Sequence, residues 1–174
     1  EYPSLIKGGH NVMQIIISSE EVIAPSQKVN LLIALNQETI DKHLEELLPE
    51  SGIIYDGDAG IDTSKTNQEI NLYSVPLSKL ANEAGGGELL INTVALGATL
   101  SLLGGDLTIL QNLIQESFAE KAKMVEANKK AAQSGYDSAK QNFADKVKKI
   151  LEPIPNVSPK MILNGNDGIT LGAI

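Results

Sequence analysis

Cysteine, arginine and tryptophan are all absent from the 174 residues. Without cysteine there is no disulfide, thiolate zinc site, cysteine nucleophile or cysteine-ligated iron–sulfur cluster in this stretch. Without arginine the 14 basic residues are all lysine, so a phosphate can be met only by lysine point charges and backbone N–H groups. Aromatics are 3% and the net charge is −8, which argues against a phosphate-tracking surface with stacked bases. No nucleic-acid partner is expected. Only two histidines occur, His10 and His43, in no metal-ligand spacing, and no metal centre is expected. Long hydrophobic runs are missing too. The most apolar stretch, Leu89 to Leu103, is broken by Asn92, Thr93, Thr99 and Ser101 and falls short of the roughly 18 apolar residues of a membrane span. It reads as a buried helix, with no membrane partner.

What is present suits one packed domain: 42% apolar and 21% charged residues. The chain opens at Glu1 without an initiating Met and stops at Ile174 inside an apolar run. On that ground it is expected to be a piece of a longer chain.

Patterning in the first half alternates between strands and helices. Val12 to Ser18 is rich in β-branched residues and predicts a strand closed by Pro25, and Val29 to Leu35 predicts a strand covered on both faces. Asn36 then caps a helix whose Ile40, Leu44, Leu47 and Leu48 share one face until Pro49 and Gly52 end it. A short strand at Ile53 to Tyr55 runs into the turn Asp56-Gly57. After a polar loop from Asp58 to Glu69 come a strand at Ile70 to Tyr73 and a helix opened by Pro76. Gly85-Gly86-Gly87 breaks the chain before the buried helix. Asp106 caps the next helix, striped by Leu110, Ile114 and Phe118, and a further helix after Gly135 carries Ala139, Phe143 and Val147. The fold class is therefore α/β, a three-layer α/β/α arrangement with a mostly parallel sheet and a helical C-terminal part. Glu152 to Pro159 holds three prolines in eight residues and reads as a linker. The expected division is a domain over 1–150, the linker over 151–160, and the start of another domain over 161–174.

Few residues suggest chemistry. Lys7-Gly8-Gly9 lies just before the first strand. Paired glycines let backbone N–H groups turn toward an anion, and the lysine adds a point charge; the bland alternative is a loop that merely enters a strand. Asn92 sits at a helix start, where it either contacts a ligand or caps the helix. His10 is read as ordering the loop by hydrogen bonding. His43, beside Asp41 and Glu45, is read as a solvated helix residue. Ser4 has no histidine and carboxylate arranged around it.

The opening Glu1-Tyr-Pro-Ser-Leu-Ile-Lys-Gly-Gly-His-Asn11 resembles the E-Y-P-S-L-I-R-G-G-H-N stretch of the gamma domain of 2-oxoacid:ferredoxin (or flavodoxin) oxidoreductases, with Lys7 in the usual arginine's place. Later landmarks agree in order: Ile23-Ala24-Pro25, the strand end Ala34-Leu35-Asn36, Gly52-Ile-Ile-Tyr-Asp56, Val75-Pro76 and Asn92-Thr-Val-Ala-Leu-Gly97. Met161 to Gly168 with Leu171-Gly-Ala173 resembles the start of the fused alpha domain, although Asp167 and Gly168 stand where glutamate and alanine are commoner. The family's Gly-rich first strand–turn–helix is missing, because the sequence begins after it.

The resemblance implies a part of an enzyme subunit that oxidatively decarboxylates a 2-oxoacid, such as pyruvate or 2-oxoglutarate, passes electrons to ferredoxin or flavodoxin and transfers the acyl group to coenzyme A. It implies that residues 1–150 help to hold CoA, with Lys7, Gly8, Gly9 and Asn92 facing it. Thiamine diphosphate, Mg and iron–sulfur clusters would belong to other domains or subunits. A beta subunit would be the partner in a cytoplasmic hetero-oligomer, and the piece would be inactive alone. Leu90 stands where single-chain relatives carry an arginine two positions before the asparagine, which removes one phosphate clamp. The alternative is a non-catalytic α/β module that binds CoA or a nucleotide, or serves assembly. A nicotinamide dehydrogenase is disfavoured, since no G-x-G-x-x-G joins a strand to a helix.

Overall fold

The computed structural model describes residues 9–20, 22–24, 26–146, 151 and 165–173. Three strands form one sheet in the order β1 (Val29–Ala34), β2 (Leu47–Asp56) and β3 (Asn71–Val75), all parallel. Side-chain alternation assigns their two faces. Leu32, Ala34, Ile53 and the partly buried Leu72 point to one side, where they meet Ile40 of α1 (Gln37–His43). Ile54, Tyr73 and Val75 point to the other, against α2 (Leu77–Glu83), α3 (Ile91–Leu102) and α5 (Ala122–Phe143). The α4 helix (Leu107–Ser117) packs on α5 through Leu110, Ile114 and Ala132. The expected three-layer α/β/α arrangement with a parallel sheet is what the chain adopts.

Local signals explain most of the starts. Asn36 accepts from Thr39 N–H and caps α1, and Asp106 accepts from Thr108 N–H and caps α4. Pro76 precedes α2, as its missing N–H allows. Gly85 and Gly87 both have positive φ (92° and 54°) and turn the chain into a 3-10 turn, Gly87–Leu90, that leads into α3.

Three expectations are corrected. The apolar run from Val12 to Ser18 forms no strand: these residues are irregular, and Met13 and Ile15 stand 88% and 74% exposed. Its β-branched composition suits a strand, but no described strand pairs with it, and an unpaired run gains nothing from that composition. The helix after Asn36 ends at His43, because Leu47 and Leu48 enter β2, where Leu47 pairs with Val29. The ladder then skips from Leu47 to Gly52 opposite Val29 to Leu31, and Glu50 takes a left-handed φ of 63° in the skipped portion. The crossover between β2 and β3 is the expected polar loop, whose Ile61 packs on the α1 side of the sheet while Gln37 and Asp62 exchange two hydrogen bonds, 2.7 and 3.2 Å, that pin it to α1.

The third correction concerns Gly135, which was expected to precede a helix. It lies inside α5. A Cβ on Gly135 would come within 2.0 Å of Val94 O in α3, and a Cβ on Gly97 of α3 within 2.1 Å of Ala132 O in α5. Two glycines, one per helix, let the backbones touch. Thr93 meets Asn128 near the start of both helices, and Ser101 and Tyr136 line one cleft near their ends, so α3 and α5 run in the same direction. Residues Gly165–Gly172 form a further helix, α6. Leu151 N–H donates to Leu103 O at 3.0 Å, while Val147 and residues 152–160 of the linker lie outside the described residues.

Candidate functional site

Of the four residues expected to face a ligand, Lys7 and Gly8 lie outside the described residues. Gly9 is exposed, with a φ of 93° and nothing within 4 Å of where a Cβ would stand. Glycine is needed there for conformation rather than for space. Asn92 is the second residue of α3 and exposed; the cap position belongs to Leu90, which is buried, so the capping alternative for Asn92 does not hold. Gly9 precedes a residue packed on α1, whereas α3 lies on the opposite face of the sheet. The described chain therefore does not gather Gly9 and Asn92 into one site.

It gathers other polar groups instead. His10 Nε2 is 2.8 Å from His43 Nε2 at the end of α1, the rings stack with centroids 5.1 Å apart, and His43 Nδ1 is 2.8 Å from Glu46 Oε2. The His43 side chain is only 17% exposed, which corrects the expectation of a solvated residue. The expected ordering of the loop by His10 acquires a partner. The i,i+3 spacing of His43 and Glu46 was a readable signal, but no local pattern announces a partner so far back in the chain.

Asp56 ends β2 and is 3% exposed. Its carboxylate accepts from Asp58 N–H at 3.1 Å, from Ser78 N–H at 2.9 Å and from the Ser78 hydroxyl. The turn reading of Asp56-Gly57 holds, and the same side chain also serves the first turn of α2. Its oxygens are taken up by the fold, so it offers no acid or base to a ligand. Asn128, also buried, accepts from the Thr93 hydroxyl and donates to Met124 O, which ties α5 to the first turn of α3 beside Asn92.

Among the described residues no group of three or more His, Asp or Glu is placed to hold a metal ion, and no helix is long and apolar enough to cross a membrane. Among the clefts that open at the surface of the described residues are two. One, about 600 Å³, is lined by Pro49, Glu50, Gln68, Glu69 and Asn71 at the amino ends of β2 and β3; the other, about 230 Å³, lies between α3 and α5. Neither is lined by Gly9 or Asn92, and the two glutamates of the first disfavour an anion.

A parallel three-stranded sheet between helical layers, with its polar loops drawn to α1, defines an α/β domain of the kind that serves larger enzymes as a module. The chain belongs to the pyruvate ferredoxin/flavodoxin oxidoreductase family, which its residues 1–138 match. It is 30% identical over 140 residues to the ketoisovalerate oxidoreductase subunit VorA of Methanothermobacter marburgensis, covering 79% of this chain and 29% of that protein. It is 27% identical over 144 residues to the 2-oxoglutarate synthase subunit KorC of Methanocaldococcus jannaschii, covering 78% of this chain and 72% of that one. The chain thus spans under a third of VorA but most of KorC.

Among solved structures, the 2-oxoglutarate:ferredoxin oxidoreductase of Magnetococcus marinus, with 2-oxoglutarate, coenzyme A and succinyl-CoA bound, superposes with a TM-score of 0.70 at 22% identity. The match covers 79% of this chain and 24% of that one. The gamma subunit of a keto/oxoacid ferredoxin oxidoreductase from Geobacter sulfurreducens superposes at 0.52 with 28% identity, covering 63% of both chains. The relatives are subunits of 2-oxoacid:ferredoxin oxidoreductases, and the expected resemblance is met.

Proposed function

We propose that this chain is the gamma-type part of a 2-oxoacid:ferredoxin oxidoreductase and that it helps to hold coenzyme A. The observation that carries the reading is the family match over residues 1–138, which contains Lys7-Gly8-Gly9. A fold shared with an enzyme solved with coenzyme A bound supports it. Lys7 supplies a positive charge and Gly8 and Gly9 expose backbone N–H groups, while Asn92, at a helix start on the other side of the sheet, adds a polar contact to a separate part of the CoA molecule. Gly9's left-handed φ is what a backbone turned toward an anion requires.

The remaining chemistry is assigned elsewhere. Cysteine-ligated clusters do not fit a sequence without cysteine. Thiamine diphosphate with its Mg, which supplies carbanion chemistry at the oxoacid carbonyl, and the iron–sulfur clusters belong in this reading to other domains or to a beta subunit. Ferredoxin or flavodoxin is the electron acceptor, and the assembly is a cytoplasmic hetero-oligomer. Residues 151–160 are the linker and 161–174 the start of the alpha domain.

The test is Lys7→Ala in the whole enzyme. Losing one charge-assisted contact raises the KM for CoA by about tenfold or more and leaves the KM for the oxoacid nearly unchanged. An unchanged KM for CoA overturns the assignment.

A further inference from the structure

His10 and His43 stand 33 positions apart and meet nitrogen to nitrogen at 2.8 Å. Two imidazole nitrogens at that separation are bonded only when one of them, and not both, carries a proton. The second nitrogen of His43 faces the Glu46 carboxylate at 2.8 Å, and an ionised carboxylate only accepts, so His43 Nδ1 carries hydrogen. In the neutral pair, His43 therefore accepts at Nε2, and His10 Nε2–H donates.

Adding protons has a stepwise effect. After the first, His43 is an imidazolium that donates to Glu46 and to His10, whose remaining hydrogen moves to Nδ1, and the bond persists. After the second, N–H faces N–H and the bond is lost. The surrounding charges are the Glu46 carboxylate on the 3-10 turn after α1, Glu38 on α1, which feels His10 electrostatically, and Lys42, paired with Glu38 at 2.7 Å. Lys28, before β1, reaches the Glu45 carbonyl at 3.5 Å, adding a further positive charge close by.

The link holds a particular piece of backbone. Gly9 turns with a φ of 93°, and the next residue is fastened to α1, which is itself pinned on β1 by Ile40. We infer that His43 and Glu46 are positioning residues for the Gly9-His10-Asn11 turn, acting through a one-proton link that opens when both imidazoles are protonated. The consequence for CoA rests on the function proposed above; the link itself does not.

Hydrogen exchange of the whole enzyme, read by mass spectrometry on peptides covering residues 5–14 and corrected for the intrinsic rate at each pH, tests this. In the wild type, protection is steady while at most one imidazole is charged and falls about fivefold to tenfold in acid, once both are. His43→Phe keeps a stacking ring without nitrogens: its peptides exchange about fivefold faster at pH about 8 and show no such fall. Glu46→Gln still accepts from Nδ1–H but removes a counter-charge, so the fall moves to lower pH, which a merely structural role would not produce. A wild-type profile without pH dependence, or a His43→Phe profile identical to it, overturns the link. The CoA reading is judged separately. Altered protection in His43→Phe with an unchanged KM for CoA upholds the link and sinks the role of this turn in CoA binding.

Discussion

Asp56 shows how one side chain acquires two duties. The sequence Asp56-Gly57 reads as a turn, and the Asp58 N–H bond is that turn. Its second duty depends on register. Asp56 lies opposite Val75 in the parallel ladder, which sets its carboxylate beside Ser78 in the first turn of α2. No local pattern predicts that bond. Asp56→Ala leaves the Ser78 and Asp58 N–H groups without their acceptor and is expected to cost about 2–3 kcal/mol, read as a lower urea midpoint at unchanged slope. The exposed Asp62 and Asp106 behave differently. N–H bonds from Ser64 and Thr108 hold their carboxyls below the usual aspartate range. A lowered folded value stabilises the fold above the unfolded pKa near about 3.9, and that contribution disappears as pH falls through the lowered value. Acid titration followed by circular dichroism should therefore show no change from these two between pH about 8 and 5. Asp106→Asn, which keeps the capping oxygen, should flatten the decline below pH about 4.

At the scale of elements, strands and helices were legible wherever capping and periodicity agreed. Asn36, Pro76 and Asp106 all start helices as their chemistry suggests. Leu47 and Leu48 misled because positions i+7 and i+8 of a helix also serve as entry residues of a strand, and pairing with Val29 decided for the strand. Gly135 misled for a related reason. Glycine weakens an isolated helix by about 1 kcal/mol, but here it removes a Cβ that would push α5 away from α3. Gly97→Ala and Gly135→Ala are each expected to destabilise by about 1–3 kcal/mol. Both force the same two backbones apart, so the double variant should cost less than the sum, and a denaturation cycle over the four proteins measures the difference.

For the molecule as a whole, the family was legible in a short run of residues, Glu1 to Asn11, and in the order of later landmarks, while the fold class came independently from the alternation of strands and helices. The candidate site was legible only in part. Gly9 and Asn92 can be named from sequence, yet their placement on opposite layers follows from tertiary packing. His43, dismissed as solvated, proved to be held from both sides. Because the chain spans 29% of VorA, the full reaction is expected to need more than these residues. On the function proposed above, the 174 residues alone should give no CoA-dependent viologen reduction with 2-oxoglutarate or pyruvate, and adding the further domains and the proposed beta subunit should restore it.

The strand order carries one more consequence. Among the described residues, β1, β2 and β3 are neighbours in the order in which they occur along the chain. None of these three strands has to wedge between two that are already paired. As the polypeptide leaves the ribosome, each strand can dock on the one made just before it, so the sheet grows outward from a single edge. The α3–α5 contact, whose helices both follow the three strands in the chain, then covers the face of Ile54, Tyr73 and Val75.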